Sequence, residues 1–203
     1  MNKRNIRAYF CKEHKIQDKK TLERLSDIAF IKKVKRHDIL VKQGEVSQYL
    51  LFLLRGIISG YYVDEKGKYH VELLAGHSKM PLATTYKAQD VSQVTVEALT
   101  KGEVIAVSKE AFMELAEESP ELMKVTANMM LGALALQTEL KRVLLYCDVR
   151  QRYEWFIREY PEFNEKISNR YVASFLNMTP ETLSRVKKEI AESSGETNEK
   201  ETG

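Results

Sequence analysis

Cysteine is nearly absent. The 203 residues hold two, Cys11 and Cys147, too few for a disulfide framework and too far apart for the paired spacing of a zinc or iron–sulfur site. Proline (4) and glycine (9) are sparse, which excludes collagen-like and low-complexity chains. Long apolar runs are missing. The longest covers six residues, 49–54, against the roughly 20 that a membrane-spanning helix needs, so no membrane partner is expected. No apolar stretch follows the basic start Met1-Asn2-Lys3-Arg4, so the sequence carries no signal-peptide pattern and predicts a cytoplasmic protein. Neither sign of charge dominates, since 32 Lys and Arg against 29 Asp and Glu leave +3, and only a local patch could point to a polyanion. The four histidines, His14, His37, His70 and His77, have no neighbours at metal-ligand spacing. With no glycine-rich phosphate loop and no nucleophile elbow either, the sequence predicts no metal, no cofactor and no enzyme.

What is present divides by periodicity. The first 42 residues carry 13 Lys or Arg against 5 Asp or Glu, and residues 21–29 place Leu22, Leu25, Ile28 and Ala29 on one helical face. Short apolar or alternating runs follow at 39–41, 49–54, 57–63, 69–74, 94–99 and 104–107. Turn signals separate most of them: Gln43-Gly44-Glu45, Arg55-Gly56, Asp64-Glu65-Lys66-Gly67 and Lys101-Gly102. Strands this short and regular predict an antiparallel β-roll or barrel, with one long irregular loop at 77–91.

Residues 109–118 then read as a helix, and Ser119-Pro120-Glu121 starts another with a cap, an N1 proline and an acid favoured by the helix dipole. It continues to about residue 148, with Leu122, Thr126, Met129, Ala133, Leu136, Leu140, Val143 and Cys147 alternating by four and three. That spacing predicts the seam of a two-stranded coiled coil, although one helix packed on its own core has a similar stripe. A further helix, 149–160, carries Tyr153, Trp155, Phe156, Ile157 and Tyr160 up to Pro161, and the acidic residues 191–203 are expected to be disordered.

Residues 168–190, SNRYVASFLNMTPETLSRVKKEI, form a helix, a short break and a second helix, the organisation of a helix-turn-helix. Ser168 is positioned to cap the first helix, Asn177 suits a left-handed turn, and Thr179 caps a helix with Pro180 at N1. Leu183, Val186 and Ile190 face inward, leaving Glu181, Thr182, Ser184, Arg185, Lys187 and Lys188 mostly outward. Arg185 suits guanine O6 and N7, Glu181 cytosine N4, and Ser184 either role, so these three are the candidate base readers. Thr179, Thr182, Lys187 and Lys188 are the candidate phosphate contacts. The patch is modest, five basic and two acidic residues over 166–190.

Residues 180–188, PETLSRVKK, resemble the recognition helix of the Crp/Fnr family of bacterial transcription regulators, and Glu181, Ser184 and Arg185 match the Glu-x-x-Ser-Arg pattern of its Fnr branch. Residues 39–45, ILVKQGE, with 50–56, LLFLLRG, resemble the opening of that family's cyclic-nucleotide-binding-type roll. The resemblance implies an α+β protein: an N-terminal antiparallel β-roll of double-stranded β-helix or jelly-roll type (1–118), a long dimerisation helix (119–148), a small all-α helix-turn-helix domain (149–190) and the acidic tail (191–203). It also implies a homodimer with Leu122, Met129, Ala133, Leu136, Leu140 and Val143 in its seam, reading double-stranded DNA at a two-fold symmetric operator with TGA-type half-sites about 34 to 36 Å apart. An activator of this kind would also touch RNA polymerase.

The chain departs from the family at the nucleotide site. Counted back without gaps from Val94, the family's phosphate-binding arginine falls on Ser92, the next residue on Gln93, and its Gly-Glu pair on Pro81 and Leu82. Serine cannot replace a charge-assisted, bidentate contact, so cyclic AMP is not expected to bind in the usual way. Another small-molecule effector or none remains compatible with that loop, where Lys79 and Lys87 are the candidate anion ligands. Cys11 alone does not supply the thiolates of iron–sulfur sensing members. Where the family has a β-hairpin wing this sequence has only the acidic tail, which implies fewer phosphate contacts and a shallower salt dependence. The competing reading is a dimeric ligand- or protein-binding module whose helix-turn-helix does not engage DNA.

Overall fold

A computed structural model describes residues 2–76, 81–82, 90–163 and 166–199. Two helices open the chain, α1 (Asn2–His14) and α2 (Lys19–Asp27). Seven strands follow: β1 (Ala29–Val34), β2 (Ile39–Val41), β3 (Tyr49–Arg55), β4 (Ile58–Val63), β5 (Tyr69–Ala75), β6 (Thr95–Ala98) and β7 (Gly102–Ser108). The chain then runs through α3 (Lys109–Glu118), α4 (Pro120–Tyr146), α5 (Val149–Glu159), α6 (Asn169–Phe175) and α7 (Pro180–Glu199). The expected helix at 21–29 is displaced. Asp18 caps α2 by accepting from the Thr21 N–H at 2.9 Å, and Ala29 already pairs with Val107 in β1.

The strands form two antiparallel sheets, ordered β1-β7-β3 and β2-β6-β4-β5. Alternation gives each sheet an inner and an outer apolar face. Leu51, Leu53, Val104 and Ala106 of the first meet Ile58, Ala75, Val96 and Ala98 of the second to fill the roll. Two of the turn signals in the sequence are one place in space. Gly56 adopts φ 103°, and a Cβ on Gly102 would lie 2.2 Å from the Arg55 carbonyl oxygen, so the neighbouring turns require glycine.

Both outer faces are covered. Phe52, Ile105 and Val107 of the first sheet pack with Ile6 and Phe10 of α1, Leu25 of α2 and Phe112 of α3. Ile57, Tyr61, Val71 and Leu74 on the second sheet's outer face pack with Trp155, Phe156, Phe163, Phe175 and Leu183. The C-terminal helices are thus docked onto the roll through a shared core. Burial in that core, with Glu159 adding to it, pushes the Tyr160 hydroxyl up to about 12.

Helix α4, 27 residues and about 40 Å long, joins the two cores. Its first half gives Leu122 and Met129 to the N-terminal core, and its second half gives Leu140 and Val143 to the C-terminal one. This corrects the expected dimer seam. Leu122, Thr126, Met129, Leu140 and Val143 are buried within the chain's own fold, and Ala133 and Leu136 are half-buried on the same side. The stripe that faces solvent is Met123, Met130, Leu131, Leu134 and Leu145. The acidic tail is corrected as well: α7 continues to Glu199, so residues 191–199 are helical. No glycine or proline interrupts the helix between Pro180 and Ser193, whose hydroxyl donates to the Glu189 carbonyl at 2.6 Å.

Candidate nucleic-acid interface

Helix α5 begins with a capping box in which Asp148 accepts from the Gln151 N–H at 2.9 Å and the Gln151 side chain accepts from the Asp148 N–H at 3.0 Å. Helix α6 is short, and the Ser168 side chain makes no capping bond, contrary to expectation. Its end is well defined. Asn177 takes the left-handed conformation at φ 51°, and the Met178 N–H reaches back to the Ala173 carbonyl at 2.9 Å. The Thr179 hydroxyl then accepts from the Thr182 N–H at 3.2 Å, starting α7 as the sequence predicts.

The turn has a partner that no local pattern announces. Arg152 on α5 donates to the carbonyls of Cys147 at 2.9 Å and of Leu176 and Asn177 at 3.3 Å each. One guanidinium thereby ties the end of α4, the start of α5 and the break between α6 and α7. A long-range contact of this kind joins sequence positions 24 and 25 apart, which periodicity cannot reveal.

Leu183 and Val186 are buried against α5 and α6, which turns Glu181, Ser184, Arg185 and Lys188 outward; all four are exposed, and Thr182 is half-buried. The backbone N–H of Glu181 itself, followed by the Thr179 hydroxyl, holds the Glu181 carboxyl below the usual glutamate range, so it is an anion at the start of the helix. Lys187 differs from expectation. Its Nζ donates to Asn169 Oδ1 at 2.7 Å and lies 5.6 Å above the Tyr153 ring, and burial lowers its pKa below the ordinary lysine value. It joins α7 to α5 and α6.

Helix α6 presents its other side to the roll. Strand β5 is the edge of the second sheet, and the Ser174 hydroxyl caps it, accepting from the Val71 N–H at 2.9 Å and donating to the Tyr69 carbonyl at 3.2 Å. The Arg170 guanidinium lies 4.5 Å from the centre of the Tyr69 ring. Phe163 packs where a Cβ on Gly76 would come within 2.6 Å of its ring, so glycine permits the close approach.

The four positions expected to line a degenerate effector pocket differ in burial and in partners. Leu82 is buried and pairs with Leu51 on the edge strand β3, its N–H donating to the Leu51 carbonyl at 2.7 Å. Ser92 is buried, its hydroxyl donating to the Val94 carbonyl at 2.6 Å, while its backbone pairs with Gly44 and Glu45 at 2.8 Å. Gln93 is exposed and Pro81 half-buried. His77, Lys79 and Lys87 lie outside the described residues. Elsewhere on the roll, His37 Nδ1 is 2.5 Å from the buried Glu97 carboxylate and His70 Nε2 is 2.9 Å from Asp64. No group of side chains able to hold a metal occurs among the described residues, and no described helix is long and apolar enough to cross a membrane.

Residues 31–119, the roll from β1 to the end of α3, match the family model for the cyclic nucleotide-binding domain. Comparison with curated protein sequences returns no match. Solved structures resemble the chain over most of its length. FixK2 from Bradyrhizobium japonicum superposes with a TM-score of 0.69 at 16% identity, covering 82% of this chain and 86% of that one. The c-di-GMP-responsive global regulator CLP of Xanthomonas campestris gives 0.70 at 16% identity, with 87% and 93% covered. A Eubacterium rectale protein described as a regulator of the Crp/Fnr family gives 0.66 at 15% identity, with 86% and 84% covered.

Proposed function

From a chain whose roll matches the cyclic nucleotide-binding domain and whose fold is that of Crp/Fnr-type transcription regulators, we propose a homodimeric, sequence-specific DNA-binding regulator. One observation carries the reading: Glu181, Ser184 and Arg185 stand exposed on the first turns of α7 while Leu183 and Val186 hold the helix to its domain. A helix so mounted can enter a major groove with base-reading groups leading. Thr179, Thr182 and Lys188 remain the phosphate ligands.

The second copy pairs along the bare side of α4. Leu131, Leu134 and Leu145 are 64%, 63% and 60% exposed there, beside Met123 and Met130. With Ala127, Thr138 and Lys141 they continue a repeat of three and four along the rod, and the Thr138 hydroxyl is satisfied by the Leu134 carbonyl at 2.8 Å. A stripe this apolar on a water-soluble domain calls for a partner, and the same stripe on a second chain is self-complementary.

Cyclic AMP is not the effector on this reading. The position of the family's phosphate-binding arginine is the buried Ser92, whose hydroxyl is already engaged with Val94. A serine there does not supply the charge-assisted contact that would offset the desolvation of a phosphate.

The test is selection of duplexes from a randomised pool, followed by titration and sedimentation. The wild-type chain is expected to enrich a two-fold symmetric sequence and to sediment at twice its 23.5 kDa. Arg185→Ala should lose about 1–3 kcal/mol on the selected duplex and relax preference at one base pair per half-site. A pool that enriches nothing, or a monomer at micromolar concentration, rejects the reading.

A further inference from the structure

Every cation on α7 is held by a partner within its own domain. Arg185 Nε lies 3.8 Å from Glu189 Oε1, Lys188 Nζ lies 3.7 Å from Glu192 Oε1, and Lys187 is held by Asn169. Three cations, Arg185, Lys187 and Lys188, meet three anions, Glu181, Glu189 and Glu192, so the helix from 180 to 192 has no net charge. Both ion pairs link residues one helical turn apart, with each carboxylate on the C-terminal side of its cation. They are at the surface: the side chains are 68% and 50% exposed in the first pair and 78% and 63% in the second. Exposed pairs of this kind are weak and exchange readily, so a better anion displaces the carboxylate.

Resting on the DNA-binding reading above, we propose that Glu189 and Glu192 are specificity-determining residues that act as built-in counterions, restraining Arg185 and Lys188 from duplexes lacking the cognate bases. Binding to a random duplex is electrostatic: cations replace the salt ions condensed on phosphates, and the gain scales with the cations that are free to do so. A carboxylate one turn away competes with the phosphate for the same cation and is itself repelled by the backbone. A cognate duplex adds base-edge hydrogen bonds to Arg185 that a random one lacks, and these repay the release of the carboxylate. The restraint therefore weighs most on the wrong sequences.

Glu189→Gln with Glu192→Gln tests this, because glutamine keeps the shape and helix preference of glutamate and removes only the charge. Glu117→Gln, exposed on α3, is the control for a change in net charge. Two duplexes are titrated from 50 to 200 mM salt, the one that the wild-type chain selects from a random pool and a scrambled version of it. The double variant is expected to bind the scrambled duplex about tenfold more tightly at low salt, with a log–log salt slope steeper by about 1 to 2. The selected duplex gains less, so the ratio of the two affinities falls, and Glu117→Gln leaves that ratio unchanged. Equal gains on both duplexes, no gain on either, or the same shift from Glu117→Gln overturns the inference while leaving the DNA reading in place. A wild-type chain that selects no duplex overturns both.

Discussion

The two helices of the helix-turn-helix, α6 and α7, look alike in sequence and have opposite employment. Each buries one apolar side in the shared domain core, Val172 and Phe175 on the first, Leu183 and Val186 on the second. Their polar sides differ in what they meet. Those of α6 meet an edge strand, where Ser174 takes the place of a missing β-partner for Tyr69 and Val71, so the helix also protects an exposed sheet edge from pairing with another chain. On the polar side of α7, Lys187 turns back to Asn169 and Tyr153, while Glu181, Ser184, Arg185 and Lys188 face solvent and the helix's own carboxylates. Amphipathicity therefore says that a helix has an outer side, and only the tertiary neighbours say whether that side is a joint or a reading surface.

Three substitutions sharpen this contrast. The largest effect is expected from Phe175→Ala, which empties a buried site between Trp155, Phe156 and Tyr160 and should lower stability by about 3–5 kcal/mol in denaturant titrations. Lys187→Ala comes next. It removes a charged hydrogen bond within the domain, so about 1.5 kcal/mol of stability should be lost while the salt slope of duplex binding stays as in the wild type. A slope that drops by about 0.9 would instead make Lys187 a phosphate ligand and blur the distinction. The smallest is Ser174→Ala, expected to cost about 1 kcal/mol and to speed amide exchange at Val71. Protection of Val71 unchanged in that variant would mean that α6 does not seal the edge.

Much of the roll was legible because its turns are. The glycines at 44, 56 and 67 mark turns that follow strands and Gly102 opens β7, and the alternation between them fixes the inner and outer faces. Strand β1 was hidden, since its partner β7 lies some 70 residues on and its Lys32 and Lys33 are exposed at an edge. Helix α1 was hidden for a similar reason: its buried residues, Ile6, Tyr9, Phe10 and His14, form a face only against Phe52 and Phe112. The seam on α4 shows a different limit. The period of three and four was present on two sides of one helix, and periodicity cannot tell the side that packs on the chain itself from the side left for another. Before α7, Thr179, Asn177 and Pro180 announced the turn because caps and left-handed residues act locally. The inward turn of Lys187 was not legible because its partners, Asn169 and Tyr153, come from two other helices.

Arg152 gives the molecule a mechanical property that no single helix has. By donating to Cys147, Leu176 and Asn177 together it ties the end of the long rod to the break of the helix-turn-helix. When two rods lie side by side, sliding one by a single turn, about 5.4 Å, must carry its helix-turn-helix the same way. On the proposed reading, the spacing at which such a pair would grip a duplex is decided far from the DNA, by how two greasy stripes settle against each other.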